Sequence, residues 1–142
     1  MIASKLYSYL EGYFPNNPDL MTSLKPGATW EYIIRAPNLD GDDCETVLTF
    51  HLIKKTNDLL EMIQGTAPKK PDLILYFTEK AILNLIADSP PADEYYTAYR
   101  YIMNNPTNEI DLDYKVNKPR LKLWRKGYRT WSKLYKFSHI QR

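Results

Sequence analysis

The sequence predicts an α+β fold: a mostly antiparallel sheet of about five strands with helices covering one face. Three observations predict it. Runs of β-branched and aromatic residues recur at short spacing through the first half of the chain, as in an antiparallel meander. Elsewhere apolar residues recur three and four apart, which is helical spacing. The length of 142 residues suits one domain, taken as 1–142.

Residues 2–12 open the chain as a helix, with Ile2, Leu6, Tyr9, Leu10 and Tyr13 making its apolar face. "FPNNPD" (14–19) stops it, because proline removes a backbone donor and biases the preceding residue away from helix. "KPGA" (25–28) is a turn, and "TWEYIIRA" (29–36) a first strand. "PNLDGDD" (37–43) is a connection built on an Asp-Gly turn signal. Its aspartates lack EF-hand spacing, and no acid stands twelve positions along from Asp40, so no metal is expected there. "ETVLTFHLIKKT" (45–56) is a second strand with apolar residues on both sides, Val47 and Ile53 against Leu48, Phe50 and Leu52, as suits an interior position. His51 has no Cys or carboxylate close to it in sequence and reads as structural. After a turn at Asn57-Asp58, "LLEMIQGT" (59–66) is the third strand.

"KKPDLILYFTEKAILNLI" (69–86) passes from strand to helix with almost no loop. Asp72 to Phe77 is the fourth strand, so that three or four strands make the meander. Thr78 is placed to cap the helix behind it, since its oxygen accepts an unpaired backbone N–H. Glu79 suits the positive end of the helix dipole. "ADSPPADE" (87–94) ends this helix and begins another, with Pro91 near its first position. Tyr95, Tyr96, Tyr99, Ile102 and Met103 form one broad face of it. "NNPTN" (104–108) terminates it, and "EIDLDYKV" (109–116) is an edge strand whose Asp111 and Asp113 share the exposed side. "RLKLWRKG" (120–127) reads as a further strand, Leu121 and Leu123 against Arg120, Lys122 and Trp124. "YRTWSKLYKFSHI" (128–140) reads as a helix with Trp131, Leu134, Tyr135 and Phe137 apolar.

Composition narrows the setting. The lone cysteine, Cys44, excludes an internal disulfide, and a reducing cytoplasm is expected. The first residues lack the apolar core of a signal peptide, and no run approaches the roughly 18 apolar residues of a membrane span. Twelve tyrosines suit half-wet surfaces or a polar-rimmed cavity, since each has an apolar body and a polar tip. Charge is split along the chain. From Lys115 onward there are ten basic residues and no acid, leaving nine basic against 17 acidic residues before it. The basic end therefore calls for something anionic: phospholipid headgroups, nucleic acid, or the acidic body of the protein itself.

Catalytic signatures are missing. There is no G-x-S-x-G, H-E-x-x-H, Walker loop or G-x-G-x-x-G. The aspartates beside Cys44 disfavour a thiolate. No enzyme activity and no cofactor are expected.

Three stretches together resemble the SCP2 sterol-carrier family: "TWEYIIRA" its early strand, "KKPDLILYFTEKAILNLI" its strand-to-helix pattern, and "RLKLWRKGYRTWSKLYKF" its final strand, glycine and helix. The likeness spans roughly residues 20–137, with a longer inserted segment at 104–119. It implies helices that enclose an apolar tunnel over the sheet, holding an acyl, sterol or isoprenoid chain. Lining candidates are Ile82, Leu83, Leu85, Ile86, Tyr95, Tyr99, Ile102 and Met103. The same residues also fit a solid core.

Three functions follow. The first is a non-catalytic lipid carrier whose Lys122, Arg125, Lys126, Arg129, Lys133 and Lys136 meet an anionic membrane surface. The second is a protein-interaction or accessory subunit whose tunnel is filled by side chains. The third is a nucleic-acid binder using "KLWRKGYRTWSKLYKF", where basic and aromatic residues interleave. Against the third, Trp131, Leu134 and Phe137 have core-like helical spacing, and the acidic remainder repels nucleic acid.

Overall fold

The structure is a computed structural model that describes residues 2–36 and 45–137. The expected turn at 37–43 with its Asp40, the lone Cys44, and the last residues of the expected C-terminal helix lie outside the described residues.

Helix α1 (Ala3–Glu11) buries Leu6 and Leu10, one turn apart. Two 3₁₀ turns follow, Phe14–Asn16 and Pro18–Met21, each with a proline in its first turn. Asn16 and Asn17 side chains donate back to the carbonyls of Gly12 and Tyr13 at 2.8 and 2.7 Å, which folds the turns against the end of α1. Strands β1 (Thr29–Arg35), β2 (Thr46–Thr56) and β3 (Leu59–Gln64) form an antiparallel meander. Strand β4 (Leu73–Thr78) runs parallel to β1, and β5 (Leu112–Val116) is antiparallel to β4. The order is β3-β2-β1-β4-β5. The fold is thus α+β with a mostly antiparallel five-stranded sheet.

The meander stops at three strands, the smaller of the two expected counts, and β4 lies outside it. Residues 65–72, with Pro68 and Pro71, are too many for a hairpin. They cross the sheet instead: Ala67 N–H donates to Glu31 Oε1 at 2.9 Å, and Asp72 N–H to the Thr29 carbonyl at 2.8 Å. This crossing buries His51, whose Nδ1 lies 2.9 Å from the Gly65 carbonyl.

Because side chains alternate along a strand, register fixes the core. Leu52–Trp30–Leu73, Phe50–Tyr32–Leu75 and Leu48–Ile34–Phe77 make three rows on one face. Helices cover only that face. Helix α2 (Glu79–Ile86) starts at Thr78, whose hydroxyl accepts from Ala81 N–H at 3.3 Å, as expected. It leads into α3 (Ala92–Asn104). The opposite face leaves Ile33, Ile53, Ile63 and Ile74 partly exposed.

The basic end departs most from the sequence reading. Residues 120–127 are not a strand: Arg120–Arg125 form helix α4, opened by Pro119 as N-cap. The run Arg-Leu-Lys-Leu-Trp-Arg contains no β-branched residue and is rich in good helix formers. Helix α5 (Tyr128–Leu134) is shorter than expected. Lys136 takes a left-handed conformation (φ 63°), and Phe137 N–H bonds the Ser132 carbonyl at 2.8 Å, a closing turn that folds Phe137 back onto the core. Leu134 is consequently exposed. Between α4 and α5, Gly127 has φ 100°, and a Cβ there would collide with the Ser23 carbonyl oxygen. Only glycine fits that corner.

Candidate functional site

The space between sheet and helices is filled with rings. Helix α3 sends Tyr95, Tyr96 and Tyr99 toward the sheet, as their i, i+1, i+4 spacing requires. From the sheet, Tyr32 stacks on Phe50 (4.6 Å between centroids) and on Phe77 (5.8 Å). From the C-terminal end, Phe137 stacks on Trp131 at 5.1 Å, and Trp131 meets Trp30 edge-on at 5.4 Å. Tyr96 packs on Tyr135 with centroids 4.3 Å apart.

Three of these rings have their polar tips answered by backbone carbonyls. Leu20 O accepts from Tyr96 Oη (2.6 Å) and from Trp131 Nε1 (2.9 Å), and Tyr135 Oη donates to Asp19 O (2.8 Å). The buried Tyr99 hydroxyl has no partner among the described residues. Burial pushes the phenols of Tyr95, Tyr96 and Tyr99 well up, so all three stay neutral. Tyr114 is pushed up to about 12 by burial and by Asp113.

What remains between the layers is a cavity of about 20 Å³, bounded by Trp30, Tyr32, Leu73 and Leu75 on the sheet side. Tyr95, Tyr96, Tyr99, Tyr114, Trp131 and Phe137 complete its wall. That is room for about one water, far below the roughly 150 Å³ that admits a benzene. Of the expected lining residues, Tyr95 and Tyr99 are here. Ile82, Leu85 and Ile86 are buried elsewhere in the core, and Leu83 and Met103 are half-buried at its margin. Ile102 lines an open surface groove with Tyr101 and Ile110.

The expected anionic-surface residues divide in two. Lys126 Nζ lies 2.8 Å from Asp72 Oδ1, beside Lys118 Nζ, also at 2.8 Å. It serves an internal ion pair. Asp72 is fully buried and also accepts Tyr128 Oη (2.7 Å) and Thr29 N–H (3.2 Å) on Oδ2. Tyr128 Oη in turn accepts from Trp30 Nε1 at 2.8 Å. Burial works against the Asp72 carboxylate, yet hydrogen bonds from Lys118, Lys126 and Tyr128 prevail and hold its pKa below the usual range.

Lys122, Arg125, Arg129, Lys133 and Lys136 are exposed, as is Arg120, and none pairs with a carboxylate among the described residues. The guanidinium groups of Arg120 and Arg129 lie over the Trp124 ring, 5.1 and 4.9 Å from its centroid. Leu121 beside them is 64% exposed. Sequence reasoning missed Arg120 and Leu121 as part of this surface and placed Trp124 on it only in the nucleic-acid alternative. Absence of β-branched residues was the signal that could have found it.

Among the described residues no cluster of three or more His, Cys, Asp or Glu side chains could hold a metal. Among them, too, no helix is long and apolar enough to cross a membrane. No protein-family model matches the chain, and no curated protein matches it.

Proposed function

We propose that this chain is a cytoplasmic, non-catalytic accessory domain that acts by presenting its surface, its lipid tunnel being filled by its own side chains. One observation carries the reading: the space where a tunnel would run holds stacked rings and a cavity of only about 20 Å³. An acyl chain would need several rings of α3 and the α5 end to move aside together. Those rings are fastened at both ends, by carbonyl hydrogen bonds and by neighbouring aromatics.

A second reading, a carrier for an acyl, sterol or isoprenoid chain, is favoured by one feature. Among the described residues the buried Tyr99 hydroxyl has no partner beside that cavity, where the head of a ligand could answer it. Native mass spectrometry of the purified protein, followed by organic extraction, separates the two. The accessory reading expects the bare chain mass and no uptake of a fluorescent fatty acid. A discrete extra mass that extracts as a lipid would overturn it in favour of the carrier.

A further inference from the structure

We infer that α4 and α5 form a docking face for an anionic lipid bilayer, with Leu121 entering the interface beside the arginine-covered Trp124 ring and headgroups held by Arg120, Lys122, Arg125 and Arg129. The inference goes beyond the accessory reading and does not depend on whether the tunnel is filled.

The fold itself sorts the basic residues. Lys118 and Lys126 turn inward to Asp72, so they are consumed by structure. The remaining cations of α4 and α5 point outward, and no acid follows Asp113 in the sequence to neutralise them. Helix α4 buries only Leu123. At 100° per residue, Leu121 then lies opposite the core, with Trp124 and Arg125 one turn on beside it. Arg129 reaches across from α5 to the Trp124 ring, which joins the two short helices into one surface.

Cations around an exposed apolar residue are the composition of an interfacial helix face. A nucleic acid would ask for something else, open aromatic platforms on which bases stack. Here Trp131, Tyr135 and Phe137 are buried, and arginines already occupy the Trp124 ring. The side chains left outward are aliphatic: Leu121, and Leu134 at the end of α5. They gain nothing on phosphate and sugar but gain burial at the acyl boundary.

The test is co-sedimentation of the purified chain with vesicles of phosphatidylcholine, with and without phosphatidylserine, read together with tryptophan emission. Trp30 and Trp131 are already buried, so a blue shift on binding reports Trp124. The expected result is partition onto the serine-lipid vesicles alone, reversed by salt. Leu121→Ser should weaken it and abolish the shift. The pair Arg125→Glu and Arg129→Glu should weaken it by more than about tenfold. Reversing the exposed Lys69 and Lys70 to Glu removes equal charge elsewhere and should leave binding within about twofold. Melting temperature checks that each variant folds. No partition onto anionic vesicles at low salt overturns the inference. So does equal loss from the Lys69/Lys70 control, or tighter binding to a single-stranded oligonucleotide that Leu121→Ser leaves unchanged.

Discussion

Tyr99 places a phenol oxygen in a buried layer where no described residue answers it. A buried unsatisfied hydroxyl costs roughly 1–3 kcal/mol, while a ring of the same shape without it costs nothing comparable. Tyr99→Phe is therefore expected to stabilise the domain by about 1 kcal/mol, read as a higher urea midpoint at unchanged slope. The cavity beside it is just large enough for one water, so a lower midpoint would mean the hydroxyl is already bonded to one. Contrast Lys54, whose buried ammonium donates to the Met21 and Leu24 carbonyls at 2.8 and 2.6 Å and so fastens the second 3₁₀ turn to β2. Burial lowers its pKa, but the two carbonyls take up protons it would otherwise leave unpaired.

At the scale of elements, Thr78 joins β4 to α2 and to the residue that leads into β5. Its oxygen caps α2, accepts from Asp111 N–H at 3.1 Å, and sits at the end of β4. Thr78→Ala should cost about 1–2 kcal/mol by urea unfolding, whereas Thr78→Ser, which keeps the oxygen, should recover most of it. Equal losses from both would assign the effect to the methyl group and its packing. This junction was legible in "FTEKAILNLI", because a cap is local chemistry. The face of α3 was legible for the same reason. Helix α4 was not: Leu121 and Leu123 share a face at strand spacing but stand on opposite sides of a helix. Reading that run as a strand buried both leucines and hid the surface they flank. The parallel placing of β4 was also out of reach. It depends on residues 65–72 crossing two strands, a long-range pairing that no window of the sequence encodes. The ring-filled space between sheet and helices belongs with these, since periodicity names buried faces and says nothing of the space between them.

At the scale of the molecule, Asp72 is where the chain closes. Its carboxylate gathers the starts of β1 and β4, the segment after β5 through Lys118, and the α4–α5 corner through Lys126 and Tyr128. Residues from Thr29 to Tyr128, lying up to 56 positions from Asp72 itself, meet on its two oxygens. Asn in this place keeps one acceptor and turns an amide donor toward groups that already donate. Asp72→Asn should cost about 3 kcal/mol at neutral pH, the low end for breaking a buried pair, because both lysines can still reach water. The pH dependence follows from the direction of the shift. The folded pKa lies below the ordinary carboxylate value, so the ionised form is favoured in the native state. Its contribution is complete above the unfolded value near 4 and is lost as pH falls through the lower folded value. Urea midpoints of the wild type and Asp72→Asn, compared from neutral pH to pH about 2, should therefore converge on acidification. Other carboxylates titrate in both proteins and cancel in the difference. A gap that stays constant into strong acid would show that Asp72 holds the fold by shape and neutral hydrogen bonds, and that the two inward lysines could have faced solvent at no loss.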